Sequence, residues 1–318
     1  MTAISEKENN WHSEMSQSIE SGPAMFAVAI EYFKACRPHT FTASIIPIMI
    51  TTAVVGGSFQ SLGFLRTIAM GISVQCAANL SNTYFDFVNG VDTKAMPDGD
   101  KGLVDARHIT SFGVLLLSTF FYITGLATVL PVFLERTDMM LPTIFFSGII
   151  LAFFYTATPV GLKYIALGDI TIYLCFGPLL MQGSSIMLTG SVDPLLHLYS
   201  IPVGLLTEAM LHANNTRDIK SDSAAGAVTL ATILGVHYSY LFYLFLIAGS
   251  YLTAAVISVF YHWGCITSFL TFPLALGVIR NFQSGNLAET ADDTAKFHFP
   301  FGLLMVLGIV YTKSGFMV

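Results

Sequence analysis

Apolar runs broken by short polar intervals fill the chain from residue 41 almost to its end. A helix that crosses a bilayer needs about 20 predominantly apolar residues. Nine runs approach or meet that length, at 41–57, 65–88, 111–133, 141–160, 167–189, 194–213, 237–260, 264–280 and 297–313. The pattern predicts an all-α, polytopic membrane protein with nine transmembrane helices. Residues 226–236 are apolar but too short to span, and they read as a re-entrant or capping helix. Residues 1–22 are polar, contain four glutamates, and read as a disordered tail ahead of a single domain over 23–318.

The polar intervals are unequal. Those near 58–64, 134–140 and 190–193 are short. Those at 89–110 and 214–225 are long and rich in charge, and alternation puts both on the side of the N-terminus. That side holds 11 of the 14 lysines and arginines; the other holds only Arg66, Arg136 and Lys313. Basic residues gather on the cytosolic side of membrane proteins, so the charged face is expected in the cytosol. An active site on one face only is the corresponding expectation.

Within those intervals two clusters carry the chemistry. In NTYFDFVNGVD, Asn82 and Asp86 are four apart and share a helical face, and Asp92 follows Gly90, where the helix is expected to stop. In NNTRDIKSD, Asn214, Asp218 and Asp222 repeat that spacing, with Arg217 and Lys220 interleaved. An ionised carboxylate at a membrane helix end is costly and needs a partner. Carboxylate and amide oxygens are the ligands magnesium prefers, and magnesium commonly bridges carboxylates to phosphates. Two such clusters facing each other predict Mg2+ and a bound diphosphate, with Asp86, Asp92, Asp218 and Asp222 as metal ligands. The alternatives are a helix-end aspartate paired with a local lysine and, for the second cluster, a solvated loop of mixed charge.

Cations near a leaving diphosphate stabilise its developing charge. Lys163 and Arg217 are the leading candidates, with Lys94 and Lys220 next; each is also explicable as an ordinary positive-inside anchor. Tyr84, Phe85, Tyr155 and Tyr164 are candidates to flank an allylic cation. Asp169 is placed to start a helix as its N-cap. Glu208 and His212, one turn apart, suit support of the second cluster or a proton path, a structural hydrogen bond being the equal alternative.

Composition narrows the picture further. Hydrophobic residues make up 54%, charged residues 11%, and mean hydropathy is +0.68. A net charge of −6 argues against nucleic acid as a partner. The four cysteines are scattered with no CxxC pair and read as buried thiols. There is no dinucleotide-binding GxGxxG, P-loop, HExxH or DDxxD. The sequons at Asn79 and Asn214 fall in a membrane helix and on the expected cytosolic face, respectively, which argues against glycosylation.

At this point the chain resembles a known family. NTYFDFVNGVD and NNTRDIKSD resemble the two Asp-rich motifs of the UbiA superfamily of intramembrane prenyltransferases. RPHTFTASIIP, NLSNTYFDF, LKYIALGD and TEAMLHANNTRDIKSD are similar to its menaquinone branch. The resemblance runs from Arg37 to the last helix. It implies nine helices around a central cavity under a polar cytosolic cap, with Asn82, Asp86 and Asp92 in the first metal motif. Asn215, Asp218 and Asp222 fall in the second, where Asn214 competes with Asn215 for one role. Lys163 with Tyr155 resembles the family's Tyr/Lys element. Pro38 precedes His39, where relatives often place an aromatic in the His39 position, so no role is assigned to His39.

The implied reaction is magnesium-dependent transfer of a geranylgeranyl group from geranylgeranyl diphosphate to reduced menadione (menadiol), making menaquinone-4, a form of vitamin K. Asp86, Asp218, Lys163 and Arg217 would be catalytic, and Asn82, Asn214, Asn215, Tyr155, Lys94 and Lys220 would bind substrate. The isoprenoid tail would lie in an apolar cavity near the lipid bilayer. A sterol-pathway reductase is the partner implied by the resemblance. The absence of an Arg-rich leader favours endoplasmic reticulum and Golgi membranes, with mitochondria as the alternative. Other readings are a 4-hydroxybenzoate-type acceptor, a prenyl-diphosphate sensor, and a transporter.

Overall fold

A computed structural model describes residues 22–91, Val104 and 109–315. Twelve α-helices occur among them. They are α1 (Gly22–Ala35), α2 (Thr42–Val55), α3 (Leu62–Val88), α4 (Ser111–Glu135), α5 (Met140–Phe154) and α6 (Gly168–Leu174). They continue as α7 (Leu180–Thr189), α8 (Leu195–Arg217), α9 (Ile219–Ala224), α10 (Leu230–Phe260), α11 (Phe272–Gln283) and α12 (Leu287–Gly315). A π-helical turn at Cys175–Leu179, containing Gly177 and Pro178, joins α6 to α7.

Every one of the nine expected segments is helical, but their membrane character differs. Five helices are long and apolar enough to cross a bilayer: Ser111–Glu135, Gly168–Thr189, Leu230–Phe260, Trp263–Gln283 and Leu287–Ser314. A pair bent by 48°, Phe26–Thr40 with Thr42–Val55, raises the number to six if it counts as one span. Helix α5 is apolar but short. Helices α3 and α8 have the length but carry the polar residues of the two clusters, including Asn82, Asp86, Glu208 and His212. The segment at 226–236 is not a separate element. Its second half opens α10, which breaks at Gly235 (φ 68°) before continuing to Phe260.

The outer surface is oily. Phe112, Leu116, Phe120 and Ile123 form an exposed stripe along α4, and Phe245, Leu252 and Val259 do the same on α10. The interior holds many hydroxyls. Those of Thr51, Thr52, Thr207 and Thr216 each donate to the carbonyl four residues back, so each is buried without an orphaned donor. Apolar outside with polar groups satisfied inside is the arrangement an integral membrane protein requires.

One core joins α2, α8, α10 and α12 around Ile46, Tyr199, Leu206, Tyr243, Phe297 and Phe301. There the 3-10 segment Trp263–Thr271 touches α12 backbone to backbone. A Cβ on either Gly264 or Gly308 would overlap the other residue's main chain. Small residues allow such close helix contacts in membranes. Replacing Gly308 by Ala is therefore expected to lower the melting temperature of the detergent-solubilised protein, at a cost of about 1–3 kcal/mol for overpacking. Gly277→Ala on α11, where a Cβ meets nothing within 4 Å, should be neutral or stabilising. Equal melting temperatures for the two variants would contradict the close contact.

Candidate active site

The first cluster sits at the end of α3. The helix runs to Val88, Asn89 caps it, and Gly90 turns the chain with φ 71°, as its lack of a side chain permits. Asn82 and Asp86 lie one turn apart on the buried face. In the second cluster α8 ends at Arg217, Asp218 sits at the break, and α9 begins at Ile219. Despite that break, Asn214, Asn215, Arg217, Asp218 and Asp222 line the same polar pocket as Asn82, Thr83 and Asp86. Lys163 and Tyr155 line it too.

Lys163 arrives on a single 3-10 turn, Leu162–Tyr164, within the loop that follows α5. Its amide donates to the Tyr155 carbonyl (2.8 Å), closing the loop after α5. Gly161 adopts φ 48°, and a Cβ there would run into the Tyr164 ring. The loop then pairs with the chain beyond the second cluster: Val228 N–H donates to Tyr164 O (3.1 Å) and Ala166 N–H to Val228 O (2.7 Å). Ala227 N–H donates in turn to Asp222 O (2.8 Å). This short parallel bridge ties the Lys163 loop to the Asp222 turn.

Two of the pocket's carboxylates, those of Asp86 and Asp218, are each held by a base. Lys163 Nζ donates to both oxygens of Asp86, at 3.2 and 3.0 Å. Arg217 holds Asp218 in a fork, Nε to Oδ1 and Nη2 to Oδ2, both at 3.0 Å. The Tyr164 hydroxyl donates to Asp86 Oδ1 at 2.6 Å and accepts from Asn89 Nδ2 at 3.4 Å. Burial, reinforced by the Asp86 charge, pushes the Tyr164 phenol well above its ordinary value, so it remains a donor. Lys163 also sits 5.7 Å from the Tyr164 ring centre.

Below the polar pocket lies an apolar cavity of about 170 Å³. Its walls come from α3, α5, α6, the π-turn and α7, including Met70, Val74, Phe145, Ile149 and Phe176. Four residues belong to both spaces: Arg37, Asn82, Tyr155 and Leu211. A charged chamber therefore stands directly on an oily one.

The oxygen donors fit a hard divalent cation. Asp86, Asp218 and Asp222 offer carboxylates to one pocket, and the buried Asn82 Oδ1 has no hydrogen-bond partner. The structure thus brings together nine of the twelve residues singled out from the sequence. Lys220 is exposed on α9 and does not line the pocket. Asp92 and Lys94 lie outside the described residues. Nine are left: Asn82, Asp86, Tyr155, Lys163, Asn214, Asn215, Arg217, Asp218 and Asp222. Tyr84 and Phe85 line neither space and stack edge-on with each other.

Asp169 does not cap its helix. It lies in the first turn of α6 and meets His212 Nδ1 at 3.1 Å. With Glu208 these form a buried trio whose ligand atoms lie within 4.8 Å of one another, and none of the three lines the polar pocket. Acceptors this close need a shared proton or a cation between them. Arg37 was not singled out from the sequence beyond its place in RPHTFTASIIP. Its only local signal was a basic residue just ahead of an apolar run.

A model of the UbiA prenyltransferase family matches residues 44–307. UbiA prenyltransferase domain-containing protein 1 from Xenopus tropicalis is 38% identical over 295 residues, covering 89% of this chain and 83% of that protein. Among solved structures, an apo UbiA homolog from Aeropyrum pernix superposes with a TM-score of 0.66 at 15% identity, covering 84% of this chain and 97% of that one. A UbiA homolog from Archaeoglobus fulgidus bound to GPP and Mg2+ gives a TM-score of 0.61 at 16% identity, covering 91% of this chain and all of that one.

Tyr164→Phe deletes the 2.6 Å bond that orients Asp86. Groups that orient a metal ligand typically contribute about 10–100-fold in metal affinity. Magnesium-dependent binding of inorganic pyrophosphate, read by calorimetry, is expected to weaken about tenfold with little change in melting temperature. Unchanged affinity would show that Tyr164 does not tune Asp86.

Proposed function

This chain belongs to the UbiA prenyltransferase family, and from that premise we propose that it transfers a geranylgeranyl group from its diphosphate to menadiol, making menaquinone-4. The observation that carries the reading is the polar pocket standing on an apolar cavity with Arg37, Asn82, Tyr155 and Leu211 as common walls. Such a site suits a substrate with an ionic head and a long hydrocarbon tail. A UbiA homolog of the same fold binds GPP and Mg2+, which supports the same substrate class here.

Asp86, Asp218 and Asp222, with the Asn82 amide oxygen, would hold Mg2+, and Asp92 is proposed to join them. When bound, the metal supplies charge that offsets the negative charge gathering on the departing diphosphate. The chain's own groups do the rest. Lys163 and Arg217, paired with Asp86 and Asp218 here, are placed to turn toward phosphate oxygens when diphosphate enters. Asn214 and Asn215 would donate amide hydrogens to the same group, and Lys94 is proposed to add positive charge to it.

The bond between the tail's first carbon and the diphosphate oxygen breaks, leaving an allylic cation at the junction of the two spaces. Tyr155, whose ring lines both, faces that cation. The quinol ring carbon attacks, a carbon–carbon bond forms, and the ring loses its proton. The cavity walls keep water from the cation. The finer topology is part of the same proposal: nine spans, the polar cap facing the cytosol, in endoplasmic reticulum or Golgi membranes.

Asp86→Ala and Asp218→Ala are expected to lower transfer at least a hundredfold while the protein stays in the membrane. The assay supplies membranes with magnesium, menadiol and prenyl diphosphates of graded length, and identifies products by mass. Wild-type-like turnover in either variant would sink the metal assignment. A product formed on 4-hydroxybenzoate instead would move the acceptor. Diphosphate bound but never released would favour a sensor.

A further inference from the structure

The chain bends by 48° where α1 gives way to α2, and Arg37, in the connecting segment 36–41, has φ 53° and ψ 58°. A side chain with a Cβ rarely adopts that left-handed conformation, and it persists only where the surroundings hold it. Four hydrogen bonds hold it here. Asn79 Nδ2 donates to Cys36 O at 2.9 Å, just before Arg37. Gln75 Nε2, one turn earlier on α3, donates to Thr40 O at 2.9 Å, just after the turn, and to Thr40 Oγ1 at 3.0 Å. Thr40 Oγ1 donates to the Arg37 carbonyl at 2.8 Å. Gln75 is itself fixed, because Ser44 Oγ donates to its Oε1 at 2.6 Å.

The two amides bracket Arg37 from the same helix that carries Asn82 and Asp86 farther along. The held residue lines both the polar pocket and the apolar cavity. A guanidinium at that junction lies where the first carbon of a prenyl chain meets its diphosphate. Arginine's planar fork suits phosphate oxygens, and its charge is permanent.

We infer that Asn79 and Gln75 are positioning residues that fix Arg37 as a further diphosphate-binding base at the junction of the two spaces. The inference rests on the proposed substrate class. It is independent of which acceptor is prenylated. Neither amide is expected to touch the diphosphate; both act through the backbone on either side of Arg37.

The test is a double-mutant cycle of Arg37→Ala and Asn79→Leu, read on the dissociation constant of geranylgeranyl diphosphate with magnesium by calorimetry. Leucine keeps the size of Asn79 and removes its donor. Arg37→Ala should weaken binding ten- to a hundredfold, and Asn79→Leu about tenfold. In the Arg37→Ala background, Asn79→Leu should add less than twofold, because the residue it positions is gone. The same comparison with Gln75→Leu should behave alike, and melting temperatures verify that each variant is folded. Full additivity of the two losses, or no loss from Asn79→Leu alone, would overturn the inference. Wild-type turnover is scored separately: its absence with binding intact counts against the transfer reading and leaves the cycle to be read.

Discussion

Asp86 is the constraint around which the site is arranged. Its carboxylate lies at the end of a long helix, almost wholly shielded from solvent, in a protein whose bulk is oily. Such a charge is tolerated only with a cation and hydrogen-bond donors in place. Both come from one loop. Lys163 supplies the cation and Tyr164 the donor, and the backbone bridge between Tyr164, Ala166 and Val228 holds that loop against the second cluster. Satisfying one buried carboxylate therefore brings three distant parts of the chain to one chamber.

The same pairing explains how the chamber serves chemistry. A lysine and an arginine that neutralise aspartates are charged groups already desolvated and already aimed at the pocket. In the proposed reaction they would change partners when a diphosphate brings its own negative charge. A site made of fixed opposite charges in a shielded chamber reorganises little at the moment of bond breaking, which is where electrostatic catalysis gains most. In the proposed reaction the oily cavity beneath matters equally, since it would hold the tail and exclude the water that would capture an allylic cation. The proposed function rests on the junction of two environments, where Arg37, Asn82, Tyr155 and Leu211 are the shared walls.

Helices α3 and α8 show the compromise this imposes. Each is long enough to cross a bilayer, yet each spends much of its length on asparagine, glutamine, serine, threonine, glutamate and histidine turned inward. Their apolar content is correspondingly low, and they fall short as spans by composition although they pack at the centre of the bundle. Helices α4 and α10, which carry no residue of the polar pocket, show the reverse: bulky apolar side chains outward and high overall hydropathy.

The sequence by itself determined the helices and the two polar clusters that meet in one pocket. Apolar runs with short breaks are legible because each helix satisfies its own backbone bonds, and oxygen ligands four apart on helix ends announce themselves by spacing. Asn82, Asp86, Asn214, Asp218 and Asp222 were readable for that reason. Only the tertiary structure decided which base meets which carboxylate, since Lys163 and Asp86 are 77 residues apart and no local periodicity links them. It also decided against Lys220, whose spacing within the motif is as good as Arg217's but whose helix α9 turns it outward after the break at Asp218. Arg37 was invisible for the same physical reason. Its place depends on two amides of another helix gripping the carbonyls around it, and long-range hydrogen bonds to backbone leave no pattern in the residues they hold.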